Sequence, residues 1–223
     1  IDLAAALRWS ARCGLNEGVC NHYSLEVGDD RYLINPQGLH WSEVSAGDLL
    51  LIGGEGRVLE GRHPLEPTAF FIHSWIHRTN TDARCVLHTH MPYATAITLV
   101  DGGRLAMAGQ NALRFHGRIA YDARYEGLAL DADEGRRIAM QLAGRRVMFM
   151  ASHGVTVVGP SVAWAFDDLY YLERACQAQV LALSTGRPLQ PVQPELASRV
   201  AAQALGERLQ SELFFAALRR MLP

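Results

Sequence analysis

Apolar and polar positions run along this chain in two rhythms. Residues 3–14, LAAALRWSARCG, repeat apolar positions every three or four residues, which predicts a helix that stops at Gly14. YSLEV, RYLIN and DLLLI (48–52) are short apolar or alternating runs bounded by GDD and GGEG, and they read as strands. EPTAFFIHSWIHR carries a helix-start signature in Pro67, with Phe70 and Phe71 on its apolar face. RCVLHTH reads as a strand, and Pro92 opens the next helix. Beyond a glycine-containing connection, GRIAY is a short strand, and 131–143 is a helix with acidic residues in its first turn, where the helix dipole favours them. RVMFMAS and VTVVG are strands split by HG, and 161–185 is a long helix. RPLQPVQP reads as a linker into a single amphipathic helix over 195–220.

Strands alternating with helices predict a layered α/β fold with helices packed on a sheet. The organisation expected is one metal-binding domain over residues 1–190 and a helical tail over 191–223, packing on a neighbouring subunit because its linker is short. The length of 223 residues suits one large domain with a sizeable core. A net charge of -2 lacks the basic footprint of a nucleic-acid binder. No apolar run approaches the roughly 20 residues of a membrane span. Cys13, Cys20, Cys85 and Cys176 show no CxxC spacing; they are expected to be buried free thiols, which fits a reducing, cytoplasmic setting.

The chemistry concentrates in CVLHTH (85–90). Side chains alternate along a strand, so His88 and His90 share a face at its exit, where sites form in layered folds. His153 ends another strand, with Gly154 behind it permitting a tight turn. Three imidazoles with an open position suit a catalytic cation rather than a closed structural one. A second pair, His73 and His77, lies four apart on a helix face. Ser74 follows the first, so the metalloprotease pattern is absent; His73 is expected as an inner neighbour of the site and His77 as exposed.

INPQGLHWSEVSAGDLLLI, ARCVLHTHMPYATAI and ASHGVTVVGPSVAWAFDDLYYLERACQAQVLAL, in that order, resemble the class II aldolase/adducin family over nearly the whole chain. The resemblance implies a three-layer α/β/α domain with a mostly antiparallel central sheet. It also implies a homo-oligomer, usually a tetramer, with a small-molecule substrate bound between subunits. One divalent metal, Zn, Mn or Fe, would sit on His88, His90 and His153. Asn35 and Gly38 of the NPxG-type turn, Asn21 of the turn at GVCNHYS and Thr68 are the implied substrate-binding positions; Arg219 or Arg220, at the basic end of the tail, is a further candidate to clamp a substrate carboxylate in a neighbour's site. Two departures stand out. The Ser-Ser-Glu element of the sugar-phosphate aldolases falls on Pro67, Thr68 and Ala69, so its acid/base carboxylate is missing. Asn21 and His22 replace the small Gly-Asn pair of the phosphate turn.

A metal-held enolate serves both aldol cleavage and decarboxylation. Decarboxylation needs no base to begin, so losing the glutamate suits a decarboxylase of a hydroxylated aromatic or heteroaromatic carboxylate. The alternatives are an aldolase acting on a hydroxy-carbonyl substrate, a non-heme iron oxygenase, and a non-enzymatic adducin-like protein. The three intact histidines favour an enzyme. His22 and His73 are candidates for proton delivery, Glu66 for the replacement carboxylate, Tyr121 for a further site group and Glu173 for a partner of a metal histidine. His40, Trp41 and Tyr23 are expected to give the site an aromatic, histidine-rich wall, with Phe70 beside them expected in core packing.

Overall fold

A computed structural model describes residues 1–222. The first half of the chain forms α1 (Asp2–Arg12), β1 (His22–Gly28), β2 (Arg31–Ile34), β3 (Leu50–Gly53), β4 (Val58–Glu60), α2 (Pro67–Thr79), β5 (Cys85–Thr89) and α3 (Pro92–Thr98). The second half forms α4 (Gln110–Leu113), β6 (Ile119–Asp122), α5 (Ala132–Leu142), β7 (Val147–Met150), β8 (Gly154–Gly159), α6 (Val162–Leu183), α7 (Pro194–Gly206) and α8 (Leu209–Met221).

All eight strands join one sheet in the order β4-β3-β2-β1-β5-β8-β7-β6. Every neighbouring pair is antiparallel except β6 and β7. Strands β5, β8 and β7 show why helices cover both faces. Cys85, Leu87, Val147, Phe149, Val155 and Val157 point to one side and pack with α1, α3, α6 and α8. Val86, Met148, Met150 and Val158 point to the other and meet Ile72 and Ile76 of α2 and Ile138 and Leu142 of α5. Alternation on strands buried from both sides therefore produces the expected α/β/α layers. α2 starts as its sequence predicts. Pro67 takes the first turn, where a missing N–H costs nothing, and the Glu66 carboxylate caps the Ala69 N–H at 2.7 Å.

The C-terminal segment differs from its expected form. It breaks into two helices around Glu207 and Arg208. α8 joins its own chain's core through Phe215 and Leu218, and the Trp9 indole donates to the Leu218 carbonyl at 2.9 Å. Arg208 lies buried before α8 and grips Asp168 of α6 through two 2.9 Å hydrogen bonds. Arg118 reaches the same carboxylate at 2.6 Å, and Arg114 pairs with neighbouring Asp167. Among the described residues, no helix is long and apolar enough to cross a membrane. Cys85 and Cys176 are buried, but Cys13 and Cys20 are exposed on loops, so only two thiols match the expectation; all four are free.

Candidate metal centre

The β5 and β8 ends bring the three histidines together. Their ligand-capable nitrogens all lie within 4.8 Å of one another. The His88–His90, His88–His153 and His90–His153 ring centroids are 5.1, 4.8 and 4.9 Å apart. His153 reaches this point because Ser152 turns the chain at φ +55°, just beyond β7. Gly154 is needed for a different reason: a Cβ there would lie 2.5 Å from the Thr89 carbonyl oxygen and 2.9 Å from a carbon of the His90 ring. Only glycine lets the two strand ends close on each other.

A cation fits this cluster. His88 donates from Nδ1 to the Val155 carbonyl at 3.0 Å, which leaves its Nε2 bare and fixes the ring, as in many metal sites. His90 Nε2 is buried without any hydrogen-bond partner, an arrangement that a ligand bond would satisfy. Burial pushes the pKa of all three imidazoles down, His153 to about 4, where His90 adds to the effect. Neutral imidazole is the form that binds metal.

β1 adds a fourth histidine. His22 sits opposite His88 in the strand register and stacks on it, centroids 4.8 Å apart. Its Nδ1 meets His73 Nε2 at 2.8 Å, and its Nε2 stands 4.0 Å from the Glu66 carboxylate. Burial, reinforced by His153 and His90, lowers the His22 pKa to about 3. Glu66 also takes the Thr68 hydroxyl. The carboxylate absent at position 69 thus reappears three residues earlier, at the edge of the same cluster. Ala69 itself is buried with Tyr32, Ile34, Leu50 and Ile52.

Asn21 belongs to the cluster as well. It holds φ +75°, accepts the His90 N–H at 3.2 Å and the Glu17 N–H at 3.0 Å, and keeps its buried Nδ2 without a partner. Asn35 uses both ends of its side chain on the backbone of Tyr23 and Asn21, which fixes the turn that aims His22. Gly38 supplies a positive-φ turn in the loop after Asn35.

Other expected residues lie elsewhere. Tyr121 stacks on Phe149, beneath the Arg104 guanidinium, and accepts the Leu105 N–H at 3.2 Å. Arg219 pairs with Asp2 at 3.0 Å, where α8 meets α1. Trp41 and Tyr23 pack against each other in the core, Phe70 lies over Gly56, and His40 is exposed beside Asn16 and Ser42, so none of the four forms a site wall. Glu173 caps the N-terminus of α3 through the Tyr93 and Ala94 N–H groups, at 2.8 and 2.9 Å, instead of touching a metal histidine. His77 is buried, not exposed: its ring stacks on Tyr32, and its Nδ1 meets the Ala83 carbonyl at 2.6 Å. Ser24 was not anticipated at all. It lies two residues after His22 on β1, on the same face, and its hydroxyl bridges His73 Nδ1 at 2.5 Å and His77 Nε2 at 2.7 Å. Same-face spacing from His22 is the sequence signal that could have found it.

A solved aldolase II superfamily protein from Pseudomonas syringae superposes with a TM-score of 0.91 at 33% identity, covering 98% of this chain and 89% of that one. Decarboxylase NovR of Streptomyces niveus is 32% identical over 213 residues, 92% of this chain and 77% of its own. The protein of Streptomyces roseochromogenus subsp. oscitans described as 4-hydroxy-3-prenylphenylpyruvate oxygenase/4-hydroxy-3-prenylbenzoate synthase is 32% identical over 213 residues, 92% of this chain and 75% of its own. The family model described as Class II Aldolase and Adducin N-terminal domain matches residues 1–180, and the chain belongs to the class II aldolase/adducin family.

Proposed function

We propose that this protein is a metal-dependent carbon–carbon lyase that decarboxylates a hydroxylated aromatic or heteroaromatic carboxylate. The observation that carries the proposal is a three-imidazole cluster whose aldolase glutamate position holds a buried alanine, Ala69. His88, His90 and His153 would hold the ion, which we take to be Zn, Mn or Fe. When bound, a divalent cation supplies Lewis acidity toward substrate oxygens. Asn21 offers a free Nδ2–H for a substrate carboxylate or carbonyl oxygen beside His90. His22 Nε2 and the Glu66 carboxylate face each other at the cluster's edge. That pair can take the proton of a substrate hydroxyl and return one to the carbon that loses carbon dioxide. General acid–base assistance of this kind contributes about 10²–10⁴-fold. A homotetramer of cytoplasmic location, with Arg219 serving a neighbour's site, belongs to the same proposal.

The test is carbon dioxide release from ortho-hydroxy aromatic dicarboxylates, with Zn²⁺, Mn²⁺ and Fe²⁺ each added back to metal-free protein. Robust cleavage of fuculose or ribulose phosphate, with no carbon dioxide from any aromatic acid, would return the chain to the aldolases. A second reading draws on the Streptomyces relative described as an oxygenase. Oxygen uptake with Fe²⁺, and no carbon dioxide under anaerobic conditions, would establish that branch instead.

A further inference from the structure

Five groups form one continuous hydrogen-bonded line behind the cluster: His22, His73, Ser24, His77 and the Ala83 carbonyl. All four side chains are buried. The far end sets the direction, because a carbonyl oxygen only accepts. His77 must therefore donate from Nδ1. Burial keeps His77 neutral, so its Nε2 is bare and takes the Ser24 hydroxyl proton. The Ser24 oxygen then accepts from His73 Nδ1–H. His73 Nε2 is left bare in turn and accepts from His22 Nδ1–H. Each donor is used once, and no other assignment of neutral rings satisfies every contact.

We propose that Ser24, His73 and His77 are positioning residues that lock His22 into one tautomer, with Nε2 a bare acceptor toward the cleft, so that the substrate group apposed to it must be an O–H donor. Two acceptors, His22 Nε2 and the Glu66 carboxylate, confront each other at 4.0 Å. A hydroxyl placed there donates its proton to one of them, whereas a carboxylate or fluorine there adds a third acceptor and no proton. The line thus selects hydroxy acids over their non-donating analogues. The substrate half of this inference rests on the lyase proposal above; the tautomer half does not.

The decisive measurement is a two-bond ¹H–¹⁵N spectrum of Zn²⁺-loaded protein labelled on histidine nitrogen, with His22 assigned by the peaks lost in His22→Gln. The expected pattern is one neutral tautomer with the proton on Nδ1. A proton on Nε2 in the wild type overturns the proposal, and the altered protein serves only to assign the peaks. Ser24→Ala should convert His22 to a mixture of tautomers while Ser24→Thr, which keeps the hydroxyl, should not. An unchanged His22 in a folded Ser24→Ala protein also overturns it. Calorimetric binding then compares ortho-hydroxybenzoate with ortho-fluorobenzoate. The wild type should favour the hydroxy acid by about tenfold or more, since an unmet buried acceptor is costly, and Ser24→Ala should shrink that preference. Equal preference in the two proteins, or binding of neither acid, rejects the substrate half. Failure of the lyase proposal would show separately, as absent carbon dioxide release with the tautomer result intact.

Discussion

Lowering the pH should weaken this fold in a window set by His77. Its imidazole is buried between Tyr32, Ser24 and the Ala83 carbonyl, and burial lowers its pKa from the ordinary 6.5 to about 4. Nearby Asp30 and the Ala83 carbonyl only partly oppose the shift. The unfolded chain binds a proton at His77 once the pH falls below 6.5, and the folded chain refuses it until about pH 4. Stability is therefore fully present above 6.5 and is lost as the pH falls through that interval. The whole displacement corresponds to about 3 kcal/mol, of which about 2 kcal/mol is lost between pH 7.5 and 5. The perturbation is His77→Gln, which keeps a polar side chain without a titrating ring. Urea unfolding of both proteins at pH 7.5 and 5, at one chain concentration and one metal concentration, cancels the other histidines. The wild type should lose about 2 kcal/mol more than the variant across that range. Losses equal within about 0.5 kcal/mol would mean that His77 takes up a proton freely in the folded state, and the account of its burial would be wrong.

Elemental analysis should find about one equivalent of divalent metal in the wild type and little in His90→Ala; equal contents would remove His90 from the metal set. Glu66→Gln should slow carbon dioxide release by about 10²–10⁴-fold with metal content unchanged, as read by initial rates beside elemental analysis. Asp168→Ala leaves the buried Arg208 and the partly buried Arg118 guanidinium groups without their carboxylate. It should cost about 3–5 kcal/mol in urea unfolding, and a loss below about 1 kcal/mol would show that water reaches the α6–α8 junction.

Much of the site was legible because two local periods carry it. Alternation puts His88 and His90 on one face, and HG marks the turn that presents His153. Pro67 fixed the start of α2 for an equally local reason. What escaped depends on pairings between distant segments. Ser24 looks like an ordinary strand serine until β1 lies against α2, where it meets His73 and His77. The sequence places His77 on the same helix face as His73, but whether that face meets water depends on the sheet beneath it. β4 presents no buried residue, so no hydrophobic pattern announced it. The break at Arg208 is likewise a tertiary effect: the residue turns inward to Asp168, a partner 40 positions away.

The close approach at Gly154 ties two properties that proteins of one ancestry often change separately. Sheet pairing and ligand spacing both depend on the missing Cβ, since the atoms it would strike are the Thr89 carbonyl of β5 and the ring of His90. A descendant could not acquire a side chain at position 154 without forcing β5 and β8 apart and spreading the imidazoles in the same step. Drift at this glycine is therefore closed to lineages that retain the metal chemistry, and also to lineages that abandon it while keeping the fold.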